Sequence, residues 1–426
     1  MKNIYELSGT LKIAAVALLL CGAFFFSAQG SDAAIDGVSG TTFNLTAKAG
    51  YIVTPDGNSI FMWGYALNNA RMQYPGPTML LNQGDTITVN LTNTLPVPVS
   101  IVFPGQSGLS ATGGAQGLLT REAAGGATVT YTFTASQPGT YAYYSGTMPD
   151  LQVEMGLSGA IIVRPNTDPA TQAYNHADSQ FDHEYLFLLS EIDPVIHKAV
   201  EAGNIVKADT TAFWPVYWFI NGRAAPDTMV AANVTWLPSQ PYNCMPTMHP
   251  GERTLIRMIG GGRDPHPLHT HGNHHRVIAH NGRLLEGAAG AGADLAEMKY
   301  TTSVTPGETF DAIFTWTGER LGWDMYGHAL TDPLEPGEYA LDHGKPFPVT
   351  LPHDQDLTFG GWWSGSPFLG AYGSLPPGQG GLNPNSGYVF MWHSHAEKEI
   401  VNNDLFPGGL LTMMYVEHPA VMLMNP

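Results

Sequence analysis

The stretch "TMLLNQGDTITVNLTNTL", Thr78–Leu95, alternates apolar and polar residues around a Gly-Asp turn. This alternation is typical of strands that bury one face and expose the other. A second alternating run, "ATVTYTFTA" (Ala127–Ala135), and the strand "GLSGAIIVRP", which ends at Pro165, follow it. Short strands separated by turn residues favour a β-sandwich, so we predict an all-β first domain over residues 34–166.

A second series of strand-like segments follows a polar segment, residues 167–180, which we interpret as a linker. The series begins with "EYLFLLSEI" (Glu184–Ile192) and ends with "GGLLTMMYVE". These runs predict a second sandwich over residues 181–426. Helix signals are few, and only Ile196–Gly203 indicates a short helix.

The second domain carries a long Gly-, Pro- and aromatic-rich insertion, at about residues 322–387. Loops of this length inside a domain are uncommon and are often functional or form interfaces. A surface excursion without a specific role is the alternative.

The N-terminal 33 residues have the order of features typical of a secretory signal. Lys2 and Lys12 precede an apolar run, Ile13–Phe26, and small residues follow. The run is shorter than the about 20 residues that a membrane-spanning helix needs. We therefore expect an exported protein, periplasmic or extracellular, with an uncleaved N-terminal anchor as the alternative.

Charge and cysteine content limit the function classes. The formal net charge is −18 with 18 Lys+Arg, so the chain offers no basic surface for nucleic acid. Removal of the signal leaves one cysteine, Cys244, and no intrachain disulfide is then available. Cys244 with Met245 and Met248 offers soft sulfur ligands for Cu(I), although buried Met and Cys are also common core residues.

Histidines cluster in two segments of the second domain. "DPHPLHTHG" contains His269 and His271, and "MWHSHAEKE" contains His393 and His395. Side chains two apart on a strand share a face, so four imidazoles converge if the two strands pair. Imidazole binds copper, zinc, iron and nickel, and the stability order favours copper, with zinc as the second candidate. Hydrogen-bonded surface histidines are the alternative.

At these motifs the sequence resembles a known family. "HPLHTHG" resembles the H-P-x-H-L-H-G motif of the multicopper oxidases, and "MWHSHAEKE" is similar to their H-C-H-x-x-x-H motif. The resemblance covers roughly Thr42 to Glu417. It implies two cupredoxin-like Greek-key β-sandwich domains, as in the two-domain laccases and the related nitrite reductases. It further implies a homotrimer with metals between subunits, in which Tyr144 of one subunit would lie near the metal of another.

The resemblance breaks down at the electron-accepting site. In the family a type 1 copper is bound by one cysteine and two histidines and passes electrons to a trinuclear copper cluster held by eight histidines. Here His266 keeps one type 1 position, whereas Ser394 stands at the cysteine and Glu399 at the second histidine. A serine hydroxyl cannot form the copper–thiolate bond, so the resemblance predicts no type 1 copper.

Only half of the trinuclear ligand set is present. The first-domain positions carry Val102, Pro104, Tyr144 and Gly146, and the segment from Ile35 to Pro165 has no histidine. The second-domain set is complete, with His269, His271, His393 and His395, and His266 lies beside it. Such a half-set has room for one copper, or at most two, rather than three.

Three functions remain open at this point. The chain is a copper-binding protein of the multicopper oxidase type, or a copper-dependent oxidoreductase that needs an external redox partner. The third alternative is a metal-free scaffold or binding protein. His274 and His275 follow the first motif and either support the metal ligands or are surface residues.

Overall fold

The computed structural model describes residues 35–205, 208–346, 365–369 and 387–423. The predicted signal segment and most of the second half of the predicted insertion lie outside these ranges. No helix within them is long and apolar enough to cross a membrane.

Eleven strands precede the predicted linker in the part of the chain that the structure describes. They are β1 (Val38–Ser39), β2 (Thr42–Val53), β3 (Ser59–Leu67), β4 (Gly76–Asn82), β5 (Thr86–Asn93), β6 (Ser107–Gly113), β7 (Ala115–Gln116), β8 (Arg121–Glu122), β9 (Thr128–Thr134), β10 (Gly139–Tyr144) and β11 (Ser158–Arg164). The main sheets have the orders β3-β2-β5-β9-β6 and β1-β4-β11-β10, and β7 pairs with β8. Helix α1 (Pro149–Gln152) lies between β10 and β11.

The Gly-Asp turn within Thr78–Leu95 carries the chain from one sheet of this sandwich to the other. It separates β4, in the four-stranded sheet, from β5, in the five-stranded sheet. Gly84 has φ 93°, a left-handed conformation that favours glycine. Apolar residues alternate along β5 and β9 into one buried core, as predicted.

Thirteen further strands lie among the described residues that follow the predicted linker. They are β12 (His183–Ile192), β13 (Tyr217–Ile220), β14 (Thr247–Met248), β15 (Arg253–Gly260), β16 (His266–Thr270), β17 (His275–His280), β18 (Arg283–Leu284), β19 (Glu297–Lys299), β20 (Thr301–Val304), β21 (Thr309–Thr315), β22 (Gly365–Leu369), β23 (Gly387–Ser394) and β24 (Leu411–Val416). One sheet has the order β13-β12-β15-β21-β17-β18, with β19 on β17. The other has the order β14-β24-β23-β16-β20, with β22 on β23.

Helices are short, as the sequence indicated. Helix α2 (Pro194–Glu201) occupies the predicted position, and the Asp193 side chain accepts a hydrogen bond from the Val195 N–H at its start. The 3₁₀ turns are Ala177–Ser179, Asp227–Met229 and Glu397–Ile400.

The two halves pack against each other through β12, whose ten residues are all buried. Phe187 and Leu189 point into the core of the second sandwich. Leu186 and Leu188 pack with Ile162 of the first half. A strand covered on both faces reads as a continuous apolar run, as "EYLFLLSEI" does.

The segment 167–180, predicted as a linker, connects the halves and has two residues buried against the second half. Ala173 and Tyr174 are buried with Leu255 and Ile278 of the second half. The Tyr174 hydroxyl donates to the buried Asp311 carboxylate. The polar residues of the predicted linker therefore surround a small apolar contact with the second half.

Candidate metal centre

The two histidine segments lie on adjacent antiparallel strands. β16 pairs with β23, and His269 stands directly opposite His393. His271 follows the end of β16. One ligand nitrogen from each of these three residues lies within 4.8 Å of the other two. The ring centroids of His271 and His393 are 5.2 Å apart, and those of His269 and His271 are 5.0 Å apart.

Neighbouring groups orient two of these imidazoles. The Nδ1 atom of His269 is 2.7 Å from the Thr301 hydroxyl on β20, the strand on the other side of β16. The Nδ1–H of His393 donates to the Ser394 carbonyl at 2.7 Å. His393 Nε2 then faces the cluster, 3.3 Å from His271 Nε2. Partners of this kind set the ring orientation of metal-binding histidines.

His395 stands at the solvent side of the cluster. Its ring centroid is 4.7 Å from that of His269 and 5.5 Å from that of His393. Its side chain is 52% exposed, and its Nδ1 lies 3.3 Å from a Glu397 carboxylate oxygen. It therefore borders the cluster without belonging to the three residues whose ligand atoms already converge.

Burial disfavours the charged form of two of these histidines. Burial and the neighbouring His271, His395 and His393 lower the pKa of His269 to about 4. Burial also lowers the pKa of His393. Neutral imidazole is the form that binds metals, so these two ligands need lose no proton at neutral pH.

The position that the sequence resemblance assigns to type 1 copper holds a hydrogen-bonded network. His266 is fully buried, with Nε2 2.8 Å from Glu191 Oε2 and Nδ1 3.0 Å from Glu399 Oε2. The Ser394 hydroxyl donates to the same Glu399 oxygen at 2.6 Å. Burial opposes protonation, but the hydrogen bonds to both carboxylates raise the pKa of His266 to about 9. Both ring nitrogens are therefore engaged, and His266 lies outside the converging group.

The remaining candidates have structural partners. His275 is buried, with its two ring nitrogens 2.9 Å from Thr270 Oγ1 and 2.7 Å from Thr302 Oγ1. Burial lowers its pKa to about 3. His274 packs on Tyr300 with a centroid distance of 3.5 Å.

The sulfur-containing segment is part of the core. Cys244, Met245 and Met248 are each at most 1% exposed, and burial raises the pKa of the Cys244 thiol well above its usual value. A buried protonated thiol is a poor metal ligand. The Met248 sulfur also accepts a hydrogen bond from Thr254.

Tyr144 lies at a different place within the chain. It lines a cavity of about 250 Å³ together with Leu188 and Arg263. None of the four cluster histidines is among the described residues that line this cavity.

Sequence reasoning missed Glu191 and Thr301. Both are distant in sequence from the residues they contact, and neither lies in a motif. The pairing of β16 with β20 brings Thr301 to His269, and the packing of the two sheets brings Glu191 to His266.

Sequence comparisons show which known proteins this chain is similar to. Residues 53–168 match the family model described as multicopper oxidase. Laccase-2 of Cryptococcus neoformans var. grubii is 26% identical over 66% of this chain and 44% of its own length. The L-ascorbate oxidase of Cucurbita pepo is 30% identical over 38% of this chain and 28% of its own. The chain spans less than half the length of the curated laccases it matches.

Solved structures show the same architecture. A blue copper oxidase from Nitrosomonas europaea has a TM-score of 0.56 at 19% identity, over 88% of this chain and 85% of that one. A copper nitrite reductase from the same organism has a TM-score of 0.50 at 15% identity, over 92% and 98%. The likeness concerns the fold, and it confirms the predicted all-β, cupredoxin-like sandwich.

Proposed function

We propose that this chain, whose residues 53–168 match the multicopper oxidase family model, binds a single copper ion at its two facing histidine segments. The ligands are His269, His271, His393 and, at the solvent side, His395. It acts as a copper-binding protein rather than as a four-electron oxidase.

One observation carries this proposal. His269 and His393 are directly opposed on β16 and β23, and with His271 they bring three ligand nitrogens within 4.8 Å of one another. Bound copper supplies one-electron redox chemistry. The chain's own residues hold the ligands: Thr301 and the Ser394 carbonyl fix two imidazole rings. Zinc is the alternative ion, because an all-imidazole site also suits it.

The network around His266 supports a binding role over the oxidase role. A type 1 site needs a thiolate and neutral imidazoles. This chain offers a serine hydroxyl, a carboxylate and a histidine whose pKa is raised to about 9. We infer that electrons do not enter through this position.

A copper-dependent oxidoreductase is a second candidate, favoured by the half-exposed His395. That exposure leaves one side of the cluster open to a small molecule or to an external redox partner. The external partner is required, because the chain lacks a type 1 thiolate. A metal-free scaffold is the third alternative. A measurement of metal content distinguishes it from the two copper-binding functions.

Export and assembly are parts of the same proposal. The N-terminal signal-like segment supports a periplasmic or extracellular location.

The proposal of a homotrimer is supported by three exposed apolar residues near the lost first-domain ligand positions. Leu118 is 91% exposed, Leu119 is 60% exposed and Met148 is 42% exposed. A contiguous patch of such residues would mark an interaction surface.

The test is metal content per chain of the purified protein supplied with copper and zinc together, beside the double variant His269→Ala/His393→Ala. About one copper per chain, lost in the double variant, is the expected result. The matched control is His280→Gln, a histidine outside the cluster that pairs with Glu308. The absence of bound metal from the wild-type protein would overturn the proposal in favour of the scaffold.

A further inference from the structure

A second group of ligands lies in the described part of the predicted insertion, away from both histidine motifs. Asp324, His328, Glu338 and His343 each present one ligand atom, and all four atoms lie within 4.8 Å of one another. No strand or helix is formed over residues 317–346, so these side chains meet through turns. We propose that they form a structural zinc site that fixes this segment to the second sandwich.

The spacing of the ligand atoms fits a tetrahedral ion. Zinc bonds of about 2.0–2.1 Å place tetrahedral ligand atoms about 3.3 Å apart. His328 Nδ1 is 3.2 Å from Glu338 Oε2 and 3.6 Å from Asp324 Oδ2. His343 Nδ1 is 3.9 Å from Asp324 Oδ2, and its 2.7 Å hydrogen bond to Glu338 Oε1 gives way when the ion binds.

Charge balance also calls for a cation. The side chains of Asp324 and Glu338 are 1% and 3% exposed. Within the described ranges, the only ion pairs of these two carboxylates are with His328 and His343. Buried carboxylates are stable only when paired or when they coordinate a metal. A divalent ion balances the charge of the two carboxylates.

The buried Nδ1 atom of His328 adds an independent observation. It has no hydrogen-bond partner among the described residues, although Glu338 Oε2 is 3.2 Å away. The distance between these two atoms would allow a hydrogen bond, but the orientation of the imidazole ring would not. A buried ring nitrogen that faces two carboxylate oxygens without a hydrogen bond to either is placed as a metal ligand would be.

Backbone groups hold the carboxylates in place. Asp324 Oδ2 accepts hydrogen bonds from the N–H groups of His328 and Gly344, at 3.2 Å and 2.9 Å. Glu338 Oε2 accepts one from the Glu335 N–H at 2.9 Å. Metal-binding carboxylates are commonly oriented in this way.

The site is anchored to the core by its own neighbours. Trp323 and Met325, on either side of Asp324, are each 1% exposed and belong to the second core. Four protein ligands close the coordination shell, which is typical of structural rather than catalytic zinc. The ion would therefore join the turn that holds Asp324 and His328 to the one that holds Glu338 and His343.

The experiment starts from the full-length double variant His269→Ala/His393→Ala, which lacks the first cluster. Zinc per chain is measured after equilibration with micromolar zinc and gel filtration. We expect one zinc in this variant, and at least tenfold weaker zinc binding after a further His328→Gln or Glu338→Gln change. A further His280→Gln change is the control and leaves zinc binding unchanged. Undiminished zinc in the His328→Gln protein, or none in the double variant, overturns the proposal.

The wild-type chain provides a second measurement that does not depend on a variant folding. Chelation lowers Tm, added zinc restores it, and cobalt in place of zinc gives the visible absorption of a tetrahedral ion. A Tm unchanged by chelator and zinc contradicts the site. Copper content in the wild-type protein is read separately, so failure of the copper proposal and failure of the zinc proposal are distinguishable.

Discussion

The Ser394 hydroxyl donates a hydrogen bond to Glu399 Oε2 over 2.6 Å, five residues along the chain. The same oxygen lies 3.0 Å from His266 Nδ1. A serine is suited to this place because its hydroxyl is a stronger hydrogen-bond donor than a thiol. The three residues at the positions that the resemblance assigns to type 1 ligands are thus joined in one buried network with Glu191.

Restoring the cysteine alone should not restore a type 1 site. In Ser394→Cys the Glu399 carboxylate still stands at the second imidazole position and His266 remains bonded on both nitrogens. We expect no intense blue absorption when copper is added. In Ser394→Cys/Glu399→His the two missing ligand types are present, and visible absorption should appear. Blue colour in the single variant would contradict this account of the network.

Because His266 is protonated in the folded chain, the free energy of unfolding should fall as the pH rises through the alkaline range. Its pKa is about 9 in the folded chain and 6.5 in a model peptide. The stabilisation, on the order of 3 kcal/mol, is fully present below pH about 6.5 and is lost as pH rises through about 9. Urea unfolding between pH 6 and 10 measures it. His266→Gln should flatten the profile, whereas His280→Gln should leave it unchanged.

Thr301 should control metal affinity without touching the metal. Its hydroxyl bonds His269 Nδ1 at 2.7 Å, and its loss frees the ring to rotate. Thr301→Val should weaken copper binding by about 10- to 100-fold. Competition titration against a chelator of known affinity measures the change. Ser303→Ala, on the exposed side of the same strand, is the control, and an equal loss there would point to a general effect on β20.

The buried Arg257 should be essential for stability. Its fully buried side chain bonds Glu184 at 2.9 Å and the Thr140 hydroxyl at 3.1 Å, and lies 3.7 Å from Asp311. Arg257→Ala leaves two buried carboxylates without this partner. We expect the free energy of unfolding to fall by about 3–5 kcal/mol.

The control for that prediction is Arg320→Ala. Arg320 is 71% exposed and forms a surface pair with Glu319. Its removal should change stability by less than about 1 kcal/mol. Denaturant unfolding of both variants at pH 7 gives the comparison, and similar losses would argue against the buried network.

Assembly should depend on the exposed leucines of the first sandwich. Leu119 lies beside Gly146, with its Cβ 3.5 Å from the position that a Cβ on that glycine would take. Leu119→Ser should reduce a homotrimer to smaller species in light scattering, while the isolated chain stays folded. Leu330→Ser, an exposed leucine of the insertion, is the control. A wild-type monomer would end the trimer proposal, and with it the expected approach of Tyr144 to a neighbour's histidines.

Local sequence patterns by themselves predicted several strands and part of the candidate metal site. Alternation predicted β5 and β9, because side-chain direction repeats every two residues in a strand, and the strand-like run Glu184–Ile192 predicted β12. The two-residue spacing of His269 and His271 predicted that their side chains share one face of a strand. Ser394 at the cysteine position argued against type 1 copper by its chemistry alone, because a hydroxyl cannot replace a thiolate ligand.

Tertiary structure decided which of these residues meet. The register of β16 on β23 sets His269 opposite His393, and a shift of one residue would turn the histidines to the other face. Glu191 reaches His266 from another sheet, and His328 meets Glu338 through turns without a periodic pattern. Such contacts depend on how distant segments pack, whereas periodicity records only the environment of each segment by itself.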